Sequence, residues 1–190
     1  MRFIKLLFIL FLTSTTGIRA MAESSVETRL QDASKAYSSG KYAESAELIE
    51  QALEEVRVKA PLTVKNFYPV RRKADYFGAF EPRESNVYES AEALYFYLEP
   101  KNVVFVKKGE AYTGGFFIDI AIKDDKGEVV FEQKKFLDAQ FNSREPIHDL
   151  FTNVTLTMTG APVGTYNVAF TVRDQNSDKS ATVEKEVKIK

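Results

Sequence analysis

The residues of this chain with the means to do chemistry are few and scattered. His148 is its only histidine and there is no cysteine. Glu145 and Asp149 flank His148 in the run Arg144-Glu-Pro-Ile-His-Asp. A hydrolytic triad needs a nucleophile and an orienting acid arranged around its base, and a zinc site needs further nitrogen or sulfur ligands. Neither set is present, so His148 is expected to be a solvated loop residue. Asp174, Asn176 and Asp178 have the alternate spacing of a calcium loop, but Lys179 and Lys185 replace the glycine and the bidentate acid that an EF-hand requires. Asp124, Asp125 and Glu128 read as turn residues. No catalytic, metal-binding or cofactor-binding residue is assigned, and the chain reads as a non-enzyme.

Recognition chemistry has better candidates. Aromatic residues are concentrated between positions 67 and 117. Tyr95 and Tyr97 fall on the strand face opposite Leu94 and Phe96. A row of outward tyrosines stacks on sugars or seats a peptide, since the ring is apolar and the hydroxyl forms hydrogen bonds. Alternatively the row belongs to a second core, covered by a helical segment that needs somewhere to bury its own stripe. The run Phe77-Gly-Ala-Phe80-Glu-Pro-Arg83 is a shaped loop, and loops on rigid scaffolds carry much of protein recognition. Phe77, Phe80, Arg83, Tyr95 and Tyr97 are therefore the candidate binding surface. Arg71-Arg72-Lys73 beside Tyr76 reads as a solvated strand edge, with Asp75, Glu81 and Glu84 close by.

The elements that position these residues fall into three parts: residues 1–22, 23–60 and 61–190. The first has Arg2 and Lys5, an apolar run from Leu6 to Leu12, and the exit Ala20-Met21-Ala22, the three parts of a secretory signal. The apolar run is too short to span a bilayer, which needs about 20 residues. Removing residues 1–22 takes away Arg2, Lys5 and Arg19; the 26 basic residues become 23 against 27 acidic, net −4. That balance argues against nucleic acid as a partner. An exported chain without cysteine depends on its apolar core, which fits the periplasm of a bacterial envelope, with secretion as the alternative. The sequon at Asn153 falls in an expected strand and reads as a chance match.

From Glu23 to Lys59 the chain has no proline and no phenylalanine and is dominated by helix formers. Val26, Leu30, Ala33 and Tyr37 step by three or four; Gly40 suits a left-handed cap; Ala46, Ile49, Ala52, Leu53 and Val56 form a second stripe. Residues 26–58 thus read as an antiparallel helical hairpin. From Pro61 onward the chain alternates apolar and polar residues. Examples are Phe116, Ile118, Ile120 and Ile122, a turn at Asp124-Asp-Lys-Gly127, a return from Val129 to Phe136, and Tyr166, Val168, Phe170 and Val172. Strands so spaced, each with one polar face, imply two antiparallel sheets packed face to face.

Two resemblances follow from these residues. Gly40-Lys-Tyr42-Ala-Glu-Ser45-Ala46, with Ile49, Ala52 and Leu53, resembles the turn and second helix of a tetratricopeptide repeat. Ser45 stands where that family has alanine. Only one repeat is visible, and one repeat does not bury its apolar face by itself. Leu156-x-Met158-x-Gly160-Ala-Pro162-x-Gly164-x-Tyr166, then Val172-Arg-Asp174, resembles the closing strands of bacterial immunoglobulin-like domains. The expected architecture is an N-terminal helical hairpin on a C-terminal immunoglobulin-like β-sandwich. The expected role is a protein-interaction or scaffold module of the envelope, without stable membrane insertion after signal cleavage; the alternative is a carbohydrate-binding module for cell-wall or surface polysaccharide. The hairpin is expected to lie on the tyrosine-bearing sheet face, or else to hold its stripe open for another envelope protein.

Overall fold

The computed structural model describes residues 25–190, so the leader expected at residues 1–22 lies outside the described residues. Helix α1 spans Val26–Ser38 and α2 spans Tyr42–Lys59. Ser25 caps α1, its hydroxyl accepting from the Thr28 amide at 3.2 Å. Gly40 takes φ +74°, a conformation that costs glycine nothing, and Lys41 N then donates to Ala36 O at 2.9 Å. The helices meet through small residues. Ala33, Ala36, Ser45 and Ala52 are buried between them, and the Ser45 hydroxyl donates to Ala33 O at 2.9 Å. Side chains this small let the helices approach, and the serine adds a hydrogen bond to the contact.

The rest is a mainly antiparallel β-sandwich of immunoglobulin-like type. One sheet has the order β1 (Thr63–Val70), β3 (Ala93–Lys101), β7 (Thr152–Thr157). The other runs β2 (Val87–Tyr88), β9 (Ser180–Ile189), β8 (Gly164–Asp174), β5 (Ala111–Lys123). Strand β6 (Val129–Ser143) pairs with β5, and β4 (Val106–Lys108) pairs with its first residues. The short β2–β9 pair alone is parallel among the described strands. Alternation decides the core. Tyr166, Val168, Phe170 and Val172 of β8 point inward against Leu94, Phe96 and Leu98 of β3. The Phe170 ring lies 4.9 Å from Phe96 and 5.7 Å from Phe67. At the entry to β8 the Tyr166 hydroxyl donates to Pro162 O at 2.7 Å. This is the tyrosine corner of immunoglobulin-like sandwiches, which fixes the crossing from one sheet to the other.

Strand β5 begins five residues before the expected Phe116, because Gly114 and Gly115 let neighbouring chains approach. A Cβ at Gly114 would lie 2.7 Å from the Phe105 ring, and one at Gly115 would collide with Ala139 O. Strand β6 runs on past Phe136 to Ser143. Lys135 adopts φ +50° and the pairing with β5 shifts between Ile118 and Ile120, a bulge beyond which Leu137, Ala139 and Phe141 pack on the core. On one flank β1 lies against β9. The other flank is bordered by β6 and β7, each of which pairs on one side only.

Candidate binding surfaces

The expected tyrosine row does not form. Tyr97 is fully buried, and Tyr95 is half-buried. What covers Tyr97 is the loop of residues 71–82, not the helical hairpin. Phe80 stacks on Tyr97 at 4.4 Å, with Tyr68 on its other face at 5.2 Å and Phe151 beyond Tyr97 at 5.6 Å. Val70 and Ala74 complete a second small core. The loop is pinned by polar contacts. Asn153 accepts from Ala74 N and donates to Ala74 O, each at 2.9 Å, which accounts for that asparagine without a glycan. The Tyr97 hydroxyl accepts from Gly78 N and donates to Glu99 Oε1, each at 2.8 Å. Burial pushes the Tyr97 hydroxyl up to about 12, with the Glu99 carboxylate adding to the rise. Glu99 is itself buried and accepts from Asn66 Nδ2 at 3.0 Å.

The five sequence-chosen residues therefore divide. Arg83 is tied down, reaching Glu92 at 2.7 Å, Val87 O at 2.9 Å and the Tyr88 ring at 4.2 Å. Phe80 is packed. Phe77 stays exposed, with Lys101 Nζ 4.5 Å from its ring centre. Arg71, Arg72 and Lys73 sit in this loop rather than on a strand edge. The segment positions itself and the second core; it does not spread an aromatic platform toward solvent.

His148 is not a free loop residue. Its Nε2 lies 2.7 Å from Glu54 Oε1 of α2, and Arg57 reaches the same oxygen at 2.8 Å. Burial pushes the His148 imidazole below its ordinary value against the opposing pull of Glu54. Lys179 Nζ donates to Arg57 O at 3.0 Å, so two polar links hold the end of α2 to the sandwich. Between them and residues 147–150 lies a cleft of about 450 Å³ with Leu53 and Val56 on one wall. The calcium-like spacing is also structural: Asp174 accepts from Val104 N and Asn176 N, and Asn176 Nδ2 donates to Val104 O and Thr113 O. Among the described residues no group of three or more His, Cys, Asp or Glu is placed to hold a metal, and no helix is long and apolar enough to cross a membrane.

Two surfaces remain open. The first is the outer face of the hairpin, where Leu30, Tyr37, Tyr42, Ile49, Leu53 and Val56 are 41–64 % exposed. Tyr37 and Tyr42 pack edge to face at 5.3 Å across the turn. The second was not legible in advance. It is a groove of about 600 Å³ along the flank between β6 and β7, lined by Phe131, Phe136, Leu156, Met158 and Val163 among others. Its signal was the apolar run Val129-Val130-Phe131, in which all three residues are exposed instead of alternating.

No family model matches the chain, and no curated protein matches it. Among solved structures it is similar to a family 123 glycoside hydrolase from Clostridium perfringens, at 8 % identity and TM-score 0.36, over 68 % of this chain and 27 % of that one. A sporulation control protein from Bacillus subtilis aligns at 9 % identity and TM-score 0.37, over 69 % of this chain and 50 % of that one. The CARDB domain of a Pyrococcus furiosus protein, solved in complex with di-metal ions, aligns at 14 % identity and TM-score 0.34, over 68 % of this chain and 87 % of that one. The chain thus spans about a quarter of the hydrolase's length and half of the sporulation protein's.

Proposed function

We propose that this chain is an exported, non-enzymatic protein of the bacterial envelope, working in the periplasm as an interaction or scaffold module whose helical hairpin takes a partner protein. The observation that carries the reading is the arrangement of the hairpin. Its small residues, Ala33, Ala36, Ser45 and Ala52, lie between the helices, and its large apolar residues lie outside. A hairpin of this length is marginal alone, because most helical stability comes from packing an apolar face. The outer face carries six exposed large apolar side chains, and exposed apolar patches mark interaction sites. The tetratricopeptide-like turn at Gly40-Lys41-Tyr42 fits the same role, since such a repeat stacks its apolar face on a neighbour. Export rests on the leader-like residues 1–22 and on the absence of cysteine from the sequence.

A pull-down from envelope extract tests the reading. The wild-type chain retains a protein partner, and Ile49→Glu, which puts a charge at the centre of the face, releases it. Equal retention by both chains, or retention of polysaccharide alone, overturns it.

A further inference from the structure

We infer that the outer face of the hairpin is an interface between two copies of this chain, related by a two-fold axis passing between the two Ile49 side chains. The inference rests on the reading above, that this face takes a protein, and names that protein as a second copy.

An interface of this symmetry requires a patch that matches itself when turned about the axis. The stripe on α2 has that property. Tyr42 stands seven residues before Ile49 and Val56 seven after, with Ala46 three before and Leu53 four after. At a rise of 1.5 Å per residue, Tyr42 and Val56 each lie about 10 Å from Ile49 along the helix. Antiparallel stacking of α2 on its mate therefore sets Tyr42 against Val56 and Ala46 against Leu53, large against smaller at each level. Helix α1 is carried along. One turn beyond the Ala33–Ser45 hydrogen bond, Leu30 comes level with Ile49, so both helices place an aliphatic residue at the axis.

The cleft at the end of α2 supplies the socket. Val56 and Leu53 form one wall, and Lys101, Ile147, His148 and Asp149 border the rest. At about 450 Å³ it has room for a tyrosine ring. Tyr42 of the second copy meets it with an apolar ring for Leu53 and Val56 and a hydroxyl for the polar rim, the kind of anchor that dominates interfaces. Each dimer makes this contact twice. The area also suffices. The six exposed side chains present on the order of 600 Å² per copy, at the top of what a monomer leaves bare. With both faces and the walls of the two sockets covered, the area removed approaches about 1,200 Å², the floor for a stable specific interface.

Sedimentation velocity on the full exported chain tests the assignment. At micromolar concentration the expected species has twice the chain mass. Ile49→Glu and Tyr42→Ala shift it to the monomer, with far-ultraviolet circular dichroism and the melting of the sandwich unchanged. Because the chain has no cysteine, Ile49→Cys offers a second readout: under mild oxidant it forms a disulfide-linked dimer, and Lys35→Cys, on another face, does not. A wild-type chain that stays monomeric, or a dimer that survives Ile49→Glu with no Ile49→Cys cross-link, overturns the inference. A monomer whose Ile49→Glu variant still loses a different envelope protein in the pull-down also overturns it, while leaving the interaction role of the face intact.

Discussion

The hydroxyl of Tyr97 donates to Glu99 two residues along the same strand, at 2.8 Å, although neither residue is exposed. Residues two apart on a strand share a face, so the pair lies on the outer side of the three-stranded sheet, under the loop of residues 71–82. The contact turns what would be a solvated face into a closed one, because Gly78 N completes the hydroxyl's bonding from the loop above.

Tyr97→Phe keeps the ring stack and removes the hydroxyl. It leaves the buried Glu99 carboxylate short of a donor and Gly78 N without its acceptor. The expected cost is about 1–3 kcal/mol in a denaturant titration, the usual penalty for orphaned buried polar groups. Limited proteolysis is expected to cut near residues 76–79 sooner in the variant. Unchanged stability together with unchanged cleavage would show that the loop is held by its aromatic stack alone.

Asp119 gives the sandwich a pH dependence. Its carboxylate is buried and meets Arg173 Nε at 2.8 Å and Nη2 at 2.9 Å, and Lys135 N donates to it at 2.8 Å. The Arg173 guanidinium holds the Asp119 carboxyl below the usual carboxylate value. A depressed folded value means that the contribution is complete above the unfolded aspartate value of about 3.9 and is lost as pH falls through the folded one. Asp119→Asn is expected to cost about 2 kcal/mol at neutral pH, and the gap to wild type is expected to narrow in acid. Parallel stability profiles from pH 7 downward would remove Asp119 from this role.

Phe170→Ala empties the centre of the core, where Phe67 and Phe96 pack on the lost ring. The expected loss is about 3–5 kcal/mol by chemical denaturation. A loss under about 1 kcal/mol, well short of the usual range for a buried phenylalanine, would mean that the two sheets close over the cavity.

Ser45→Leu tests the helix contact. Ser45 is buried between α1 and α2 with its hydroxyl on Ala33 O, and a leucine there has no room. The helices are expected to separate, lowering helical circular dichroism while the strand signal persists. Ser45→Ala retains the packing and loses only the bond to Ala33 O, so it is expected to cost about 1 kcal/mol. If Ser45→Leu leaves the helical signal intact, the two helices do not depend on that approach.

The strands of the core were legible because their faces are. In β8 every second residue from Tyr166 to Val172 is apolar, and period-two alternation names both the strand and its inward side. The hairpin was legible from its three-and-four spacing and from Gly40. Alternation does not say what covers a face, however. Tyr95 and Tyr97 were correctly placed opposite Leu94 and Phe96, yet their cover is a loop whose fit depends on Phe80, Asn153 and Gly78 meeting across distant stretches of chain. Among the described residues the hairpin is tied to the sandwich at the end of α2, through His148 and Lys179, and neither contact has a local signature. The full length of β6 was hidden for a related reason: between the pairs Gln133–Ile120 and Leu137–Ile118 the strand carries two extra residues around the left-handed Lys135, and this interruption of the alternation makes one strand read as two unrelated halves.

That turn at Lys135 also bears on how the molecule behaves in a crowded compartment. An outermost strand of 15 residues with nothing beside it is a ready template for a growing filament. Here the bulge divides the border into two short runs separated by a register shift, with Glu132, Lys134 and Lys135 beside it. A neighbouring chain that zips onto the first run loses register before it reaches the second. The flank stays open to a visitor of a few residues and closed to endless stacking.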